Sequence, residues 1–413
     1  MVVDRYAVDP SFAEWSRRLG IVLTPELEEL DKLLDDVELF DLFKRDFQER
    51  YPNSLSTGRY STPVEVLVRG LTLKHAQGWS FEELEEALRN NVMVRKFCRL
   101  YFHKAPDDTV LIRWDNELKP STLEALNGRV VEAARRLKVT RGRKLRTDTT
   151  VVETHIHYPS DSSLLADGVR VISRLAKRAK HLVGQIGEDV EDIKPLFRDR
   201  MGAVKRRIKI LLESSKAKAE AGKARFRKAY IELVDIAKAS VNQAQELIGV
   251  LNEMPSRVSA PVAEQVERVS EQLRVFYPRV QQVITQTIRR VIDHQVVPAA
   301  EKLVSLFEPH TAIIPKEKAG QAVQFGRKVK LDEVDGGIIS HYTVEAGNPH
   351  DSTLFPDSLD AHRERFEKPP DLAATDRGFW SADNEKKALE AGVKQVVIPK
   401  SGRRSKERIA YEH

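Results

Sequence analysis

Lys144-Leu145-Arg146-Thr147-Asp148-Thr149-Thr150-Val151-Val152 is where the chain changes character. Before it, apolar residues recur at helical spacing. Across it, β-branched residues crowd together without helix caps, so the segment predicts a strand. A turn signal follows, Tyr158-Pro159-Ser160-Asp161-Ser162, and then a polar, Lys/Arg/Glu/Gln-rich helical stretch from Ser163 to Pro309. Pro195, Pro255, Pro261, Pro278 and Pro298 predict that this stretch is divided into several helices, because proline lacks the N–H that a helix interior uses. No fixed period recurs in it, which points to an all-helical insertion rather than a solenoid.

After Pro315 the strand patterns return. Gln324–Leu331 and Gly337–Val344 flank Asp335-Gly336, a hairpin turn pair. Asp351 to Phe366 reads as helix, and Asp371 to Asp376 as a short strand. Ser381 is placed to cap a helix that runs to Ala391 and stops at Gly392. Val393 to Ile398 predicts a last strand, ended by Pro399. The sum is an α/β sheet with a helical block inserted after its first strand.

Upstream, residues 1 to about 125 read as helical. Thr62-Pro63-Val64-Glu65 and Ser80-Phe81-Glu82-Glu83 both have the form of a capping box. Val64, Leu67, Val68 and Leu71 mark the first of these helices, and Phe81, Leu84 and Leu88 the second. The turn between them, Gln77-Gly78-Trp79, makes the pair similar to a helix-turn-helix, a pattern that any small helical domain also offers.

The 413 residues are 41% hydrophobic and 31% charged, which excludes a disordered tail, a collagen-like fibre and a membrane-embedded chain. No apolar run approaches the roughly 20 residues of a spanning helix, and the first twenty residues lack the apolar core of a secretory signal. A soluble, cytoplasmic protein is expected. The single cysteine, Cys98, excludes an internal disulfide and a Cys-rich zinc site. Net charge is only +6, but it is unevenly spread: from Met201 to Lys228 there are 10 Lys/Arg against 2 Asp/Glu. Lys205, Arg206, Arg207 and Lys209, with Lys223, Arg225, Arg227 and Lys228, suit a phosphate backbone or, more plainly, a solvated helix face.

Two aspartates hold comparable places: Asp148 within the first strand, and Asp376 at the C-terminal end of the strand that precedes it. Ligand sites in open α/β sheets gather at strand ends. Carboxylates converging there are hard oxygen ligands for Mg²⁺ or Mn²⁺, and two such ions serve phosphodiester displacement. An aspartate just past a strand is equally a turn or helix cap. His155 and His157 would alternate on one strand face and share it, but with no third ligand at diagnostic spacing they read as a polar or packed pair. Asp332 and Asp335 read as hairpin turn residues, while Glu153 and Asp351 stay outside the candidate set. Neither GxGxxG nor a P-loop is present, so nothing calls for a nucleotide cofactor. No Gly-x-Ser-x-Gly elbow or Cys–His nucleophile pattern occurs either.

Arg143 to Thr154 resembles the first catalytic strand of bacterial insertion-sequence DDE transposases, especially the ISNCY-type group. The likeness continues through Ile156 to Leu165, Phe325-Gly326-Arg327-Lys328-Val329, Gly347-Asn348-Pro349-His350-Asp351, and Thr375-Asp376-Arg377-Gly378-Phe379-Trp380 followed by Asn384. Thr62 to Leu100 is similar to the N-terminal helical domain of that group. The resemblance implies an RNase H-like catalytic domain with a large helical insertion, preceded by an all-helical DNA-binding-type domain. Its expected divisions are 1–125, 126–162, 163–310 and 311–413. It further implies Asp148 and Asp376 as the first two acidic ligands of a two-metal Mg²⁺ or Mn²⁺ site. Water would attack a phosphodiester at the transposon end, and the freed 3′-hydroxyl would then attack target DNA. Lys205, Arg206, Arg207, Arg377, Lys400, Arg403 and Arg404 are the candidate DNA contacts. The implied partners are inverted-repeat ends, target DNA and a second protomer, in a bacterial, nucleoid-associated setting.

The third acid departs from that pattern. The family carries a glutamate on a helix beyond the last strand, and the segment from Ser401 to His413 contains no match to it, so a truncated C-terminus is expected. Glu407 and Glu412 are the glutamates that follow Glu390. The alternative reading is a catalytically inactive DNA-binding remnant. An RNase H-like nuclease acting on other nucleic acids is a further rival.

Overall fold

The computed structural model describes residues 1–49, 59–186, 194–216, 218–254, 259–318 and 321–400. The chain opens with α1 (Pro10–Arg18), α2 (Pro25–Leu34), α3 (Val37–Glu49), α4 (Val64–Gln77), α5 (Phe81–Asn90), α6 (Val92–Phe97), α7 (Asp108–Asp115) and α8 (Pro120–Arg136). Strand β1 (Lys144–Glu153) comes next, then α9 (Asp161–Ile186), α10 (Met201–Ser214), α11 (Glu220–Glu253) and α12 (Ala260–Thr287). The remainder is β2 (Ala312–Lys318), β3 (Gln321–Val334), β4 (Ile338–Val344), α13 (Phe355–Phe366), β5 (Leu372–Thr375), α14 (Ala382–Glu390) and β6 (Gln395–Val397). Two compact units divide the chain. One takes Met1–Thr147, Asp332–His341 and the chain from Phe355 onward; the other takes Asp148–Leu331 and Tyr342–Leu354.

In the first unit the helices begin where their caps stand. Asp9 accepts N–H bonds from Ser11 and Phe12 to open α1, with Pro10 in the first turn. Ser80 and Glu83 form the reciprocal capping box expected for α5: the Ser80 N–H donates to Glu83 Oε2 at 2.7 Å and the Glu83 N–H to Ser80 Oγ at 3.1 Å. The matching box expected at Thr62 does not form. Helix α4 starts at Val64 with no side-chain cap, and Glu65 is buried instead, accepting from Arg99 at 2.6 Å. The charged Arg99 guanidinium, itself partly exposed, outcompetes the local N–H as a partner for that carboxylate. Left-handed Gly78 (φ +69°) ends α4, a conformation that costs a residue with a Cβ far more than glycine. Phe47, Leu67, Leu84, Leu88, Phe97 and Leu111 fill the core of these helices.

Arg69 lies in that core at 1% exposure, ion-paired to Asp31 at 2.5 Å and to Asp35 at 2.8 Å, and its guanidinium also faces the Phe97 ring. Arg99 pairs with the same two aspartates and with Glu65. Burial would raise the Asp35 carboxyl, but its hydrogen bond and charge contacts with Arg99, and the Arg69 charge, hold it below the usual carboxylate range. Burial pushes the Cys98 thiol up to about 12, so it is a packed neutral side chain rather than a nucleophile.

This unit also holds a stretch of sheet. β1 and β5 run parallel with Lys144 opposite Leu372 and Thr147 opposite Thr375, and β5 runs parallel to β6 with Ala373 opposite Val396. Leu145, Ala373 and Val396 are the buried apolar positions of these strands, and Thr147 is buried beside them in β1. β3 is the other neighbour of β1, and β4 pairs with β3. The turn at Asp335-Gly336-Gly337 joins β3 to β4 as expected, both glycines having positive φ.

The second unit is built on α9, α10, α11 and α12. Leu165, Val169 and Ile172 of α9 pack with Leu233, Ala237 and Leu247 of α11 and with Val269, Leu273 and Val283 of α12. Each such Leu, Val or Ile side chain contributes about 1.5–3 kcal/mol through burial. Pro261 opens α12 as expected, but Pro278 does not interrupt it: the helix runs through to Thr287. Buried Leu273 and Val280 on either side of Pro278 keep the helix packed, and that offsets the one missing backbone hydrogen bond. Pro195 lies in a 3₁₀ turn and Pro298 precedes another, whereas Pro255 is outside the described residues. A five-residue π-helical turn, Ile288–Ile292, follows α12. In the same unit β2 pairs antiparallel with β3, and β1 lies on the other side of β3. β2 begins at Ala312, ahead of the point where strand was expected. No helix of the described residues is long and apolar enough to cross a membrane.

Candidate functional site

In the first unit, the parallel register brings Thr147 of β1 opposite Thr375 of β5. Asp376 is the residue after Thr375, exposed, and its Oδ1 accepts the Gly378 N–H at 2.8 Å. It therefore caps the short 3₁₀ turn Arg377–Phe379. The start of α14 braces that turn: buried Asn384 donates Nδ2–H to the Phe379 carbonyl at 2.8 Å, while Ser381 Oγ accepts the Asn384 N–H at 3.0 Å. Asn384, quoted above only as part of a motif, thus fixes the loop that presents Asp376. Arg377 is exposed, and Lys400 Nζ lies 5.5 Å from the centre of the Trp380 ring.

Thr147 itself is held from behind. Its hydroxyl donates to Asp332 Oδ1 at 2.7 Å, and Asp332 Oδ2 is 2.9 Å from His341 Nδ1. Asp332 is 1% exposed and lies inside β3, so it is not the turn residue expected from its place near Asp335-Gly336; the strand runs on to Val334, past the expected end at Leu331. Asp335 is a turn residue and also more than one: it accepts N–H bonds from Arg141, Arg143 and Lys144 at the entry to β1. Partial burial would raise its carboxyl, and those three N–H donors hold it below the usual range.

In the second unit, Asp148 is exposed on β1, and its Oδ1 accepts the Thr149 N–H at 2.8 Å. The Thr149 hydroxyl donates to Asp351 Oδ1 at 3.2 Å, and buried Lys328 donates to the same oxygen at 2.6 Å and to the Pro349 carbonyl at 2.7 Å. Lys328 and Asp351 come from two separate motifs of the sequence, and this ion pair joins them beside the strand of Asp148. Asp351, set aside in the sequence reading, is thus a support for β1. Gly326 belongs to the same support: a Cβ there would stand 2.2 Å from the Val152 carbonyl oxygen, so only glycine lets β3 approach β1 this closely.

Of the basic candidates, Lys205 and Arg206 are exposed on α10, whereas Arg207 is half-buried with its Nε 2.9 Å from Glu232. Arg403, Arg404, Glu407 and Glu412 lie outside the described residues. His155 and His157 do not alternate on a strand, because β1 ends at Glu153; His157 Nε2 faces Asp167 at 3.5 Å. Among the described residues no group of three His, Cys, Asp or Glu side chains is placed to hold a metal ion.

Two family models match the chain: a transposase domain (DUF772) over residues 23–117 and a transposase DDE domain over residues 285–412. The first covers α2 to α7, and the second includes Asp376 but not Asp148. A relative in Rhizobium meliloti, named as an uncharacterized protein, ORF8 in the nfe locus, is 32% identical over 127 residues. That match takes in 29% of this chain and 61% of the relative. No solved structure matches the chain.

Proposed function

We propose that this chain, which belongs to the DDE transposases of insertion sequences, binds transposon-end DNA and uses Asp148 and Asp376 as acidic ligands for metal-dependent phosphodiester cleavage and strand transfer. One observation carries the assignment: Thr147 and Thr375 are register partners on parallel strands. The residue that follows each of them in the chain is an exposed aspartate. The sheet, the helical insertion after β1 and the helical N-terminal region support an RNase H-like reading of residues 126–162 and 311–413, with 1–125 and 163–310 as the attached helical parts.

The donor chemistry fits a divalent ion in kind. Both groups are carboxylates, hard oxygen donors of the type Mg²⁺ and Mn²⁺ select, and each is oriented by a backbone N–H on Oδ1. Two bound ions would supply Lewis acidity to the attacked phosphodiester and to the attacking oxygen. The chain's own residues do the positioning. Asp332 and the Lys328–Asp351 pair hold β1 on either side of Asp148, and Asn384 holds the Asp376 turn. Arg377, Lys400, Lys205 and Arg206 are the exposed cations offered to the DNA backbone, a contact that sets register without reading sequence. A second reading, a protein that occupies transposon ends without cutting, is favoured by one fact: no third carboxylate completes the set among the described residues.

The test is a labelled end duplex incubated with the chain in Mg²⁺ or Mn²⁺, with binding followed in parallel. Asp148→Asn and Asp376→Asn should each abolish cleavage and leave binding intact. Full cleavage in either variant overturns the assignment; binding with no cleavage by the unaltered chain selects the second reading.

A further inference from the structure

Within the second unit, the start of α9, the end of α10, the first turns of α11 and the π-turn after α12 enclose a concave site of about 920 Å³. Three independent features meet there. Its wall carries four permanent cations, Lys223, Arg227, Lys228 and Arg290, with His294, against two carboxylates, Asp161 and Glu220. Phe226 and Tyr230 supply an apolar side, packed edge to face at 5.1 Å. The backbone is unusual at the same spot: Arg290 and Val291 belong to the π-turn, and His294 sits at φ +54°, a left-handed conformation that a side chain enters at a cost.

The carboxylates are already engaged. Asp161, 5% exposed, lies 2.9 Å from Arg290 Nε, and Glu220 pairs with Lys223 at 2.7 Å. Lys228 has no ion-pair partner among the described residues, and Arg227 reaches only the Ile292 carbonyl, at 3.4 Å. Two cations are therefore left facing a partly apolar hollow. A chain that needed only solubility would spread such charges over open surface. Here they converge on a concave wall, where field lines concentrate and an anion is held more strongly than on a flat face.

We infer that this cavity of the helical insertion is a phosphate-binding site, with Arg227 and Lys228 as its principal contacts. It takes a backbone phosphate of bound nucleic acid or, by the same chemistry, a free phosphate. The inference rests on the nucleic-acid reading only for the first of these sources.

The measurement uses the full chain and the double variant Arg227→Gln/Lys228→Gln, with Lys238→Gln/Arg274→Gln as a control of equal charge outside the cavity. All four side chains are exposed, so folding should persist, and a thermal melt checks it. One arm titrates a labelled duplex across salt. Each lost phosphate contact lowers the log–log salt slope by about 0.9, so the affinity ratio between about 50 and 200 mM salt should shrink by roughly tenfold in the cavity variant and not in the control. The other arm titrates inorganic phosphate calorimetrically, and its heat should vanish in the cavity variant if a free phosphate is the ligand. A change confined to the cavity variant in either arm supports the site and names the source. Equal behaviour of the two variants in both arms, or binding of neither probe by the unaltered chain, overturns it. Cleavage is not read, so failure of the metal assignment at Asp148 and Asp376 stays separate.

Discussion

The N-terminal helices and the helical insertion spend their arginines in opposite ways. Arg69 is enclosed among Asp31, Asp35 and Glu65 and acts as a structural core residue. In the insertion, Arg206, Lys205 and Lys228 stay exposed while a continuous apolar core does the packing. The same residue type is thus a cross-brace in one place and a surface offered to anions in the other. Charge counts along the chain do not separate these roles, because partners decide them: three carboxylates converge on Arg69, whereas on α10 Arg207 pairs with Glu232 and Lys205 and Arg206 have no ion pair among the described residues.

The contrast is broken most directly at Arg69. Arg69→Met should destabilise the N-terminal helices by about 3 kcal/mol, since it removes the buried guanidinium that Asp31, Asp35 and Glu65 share and leaves Arg99 to pair them from the surface side, whereas Arg206→Met should stay within about 0.5 kcal/mol. Denaturant unfolding of the two variants decides it, and equal midpoints would erase the distinction.

The insertion should instead be sensitive where its helices touch. A Cβ at Gly168 of α9 would meet Val280 Cγ2 at 2.7 Å, so Gly168→Ala should cost about 1–3 kcal/mol by overpacking. A neutral or stabilising result would mean that α9 and α12 separate without penalty.

The smallest effect is titration of the acidic partners. Asp35 has its folded pKa depressed, so its contribution is present above the ordinary carboxylate value near 3.9 and is lost as pH falls through the lower folded value. Because that side chain is 45% exposed, solvent screening keeps the contribution on the scale of about 1 kcal/mol or less. Unfolding midpoints followed from neutral pH down into the acid range should fall more steeply for the unaltered chain than for Asp35→Asn. Parallel curves would remove Asp35 from the brace.

Much of the secondary structure was legible because its signals are local. β1 runs from Lys144 to Glu153 as its β-branched run indicated, the Ser80 capping box closes, and the hairpin turns at Asp335-Gly336. The misreadings share a cause: each depends on a partner distant in sequence. Thr62 looks like a cap until Arg99 takes Glu65, and Pro278 looks like a break until α9 and α11 pack along the whole helix. The candidate site was legible in part. Asp148 and Asp376 stood out by position, but the Thr149–Asp351–Lys328 contacts and the Thr147–Asp332–His341 contacts did not, because their members are scattered along the chain and no spacing rule connects them.

By itself, then, the sequence determined where most strands and helices lie, that two aspartates end or occupy strands, and that the basic charge is concentrated before and within α11. Tertiary structure alone decided that Thr147 and Thr375 are register partners, that Arg69 is a core residue, and that Arg227 and Lys228 face a cavity. The reason is physical. Caps, turns and periodicity act over a few residues, whereas register, burial and charge pairing are set by segments that meet only once the chain has folded.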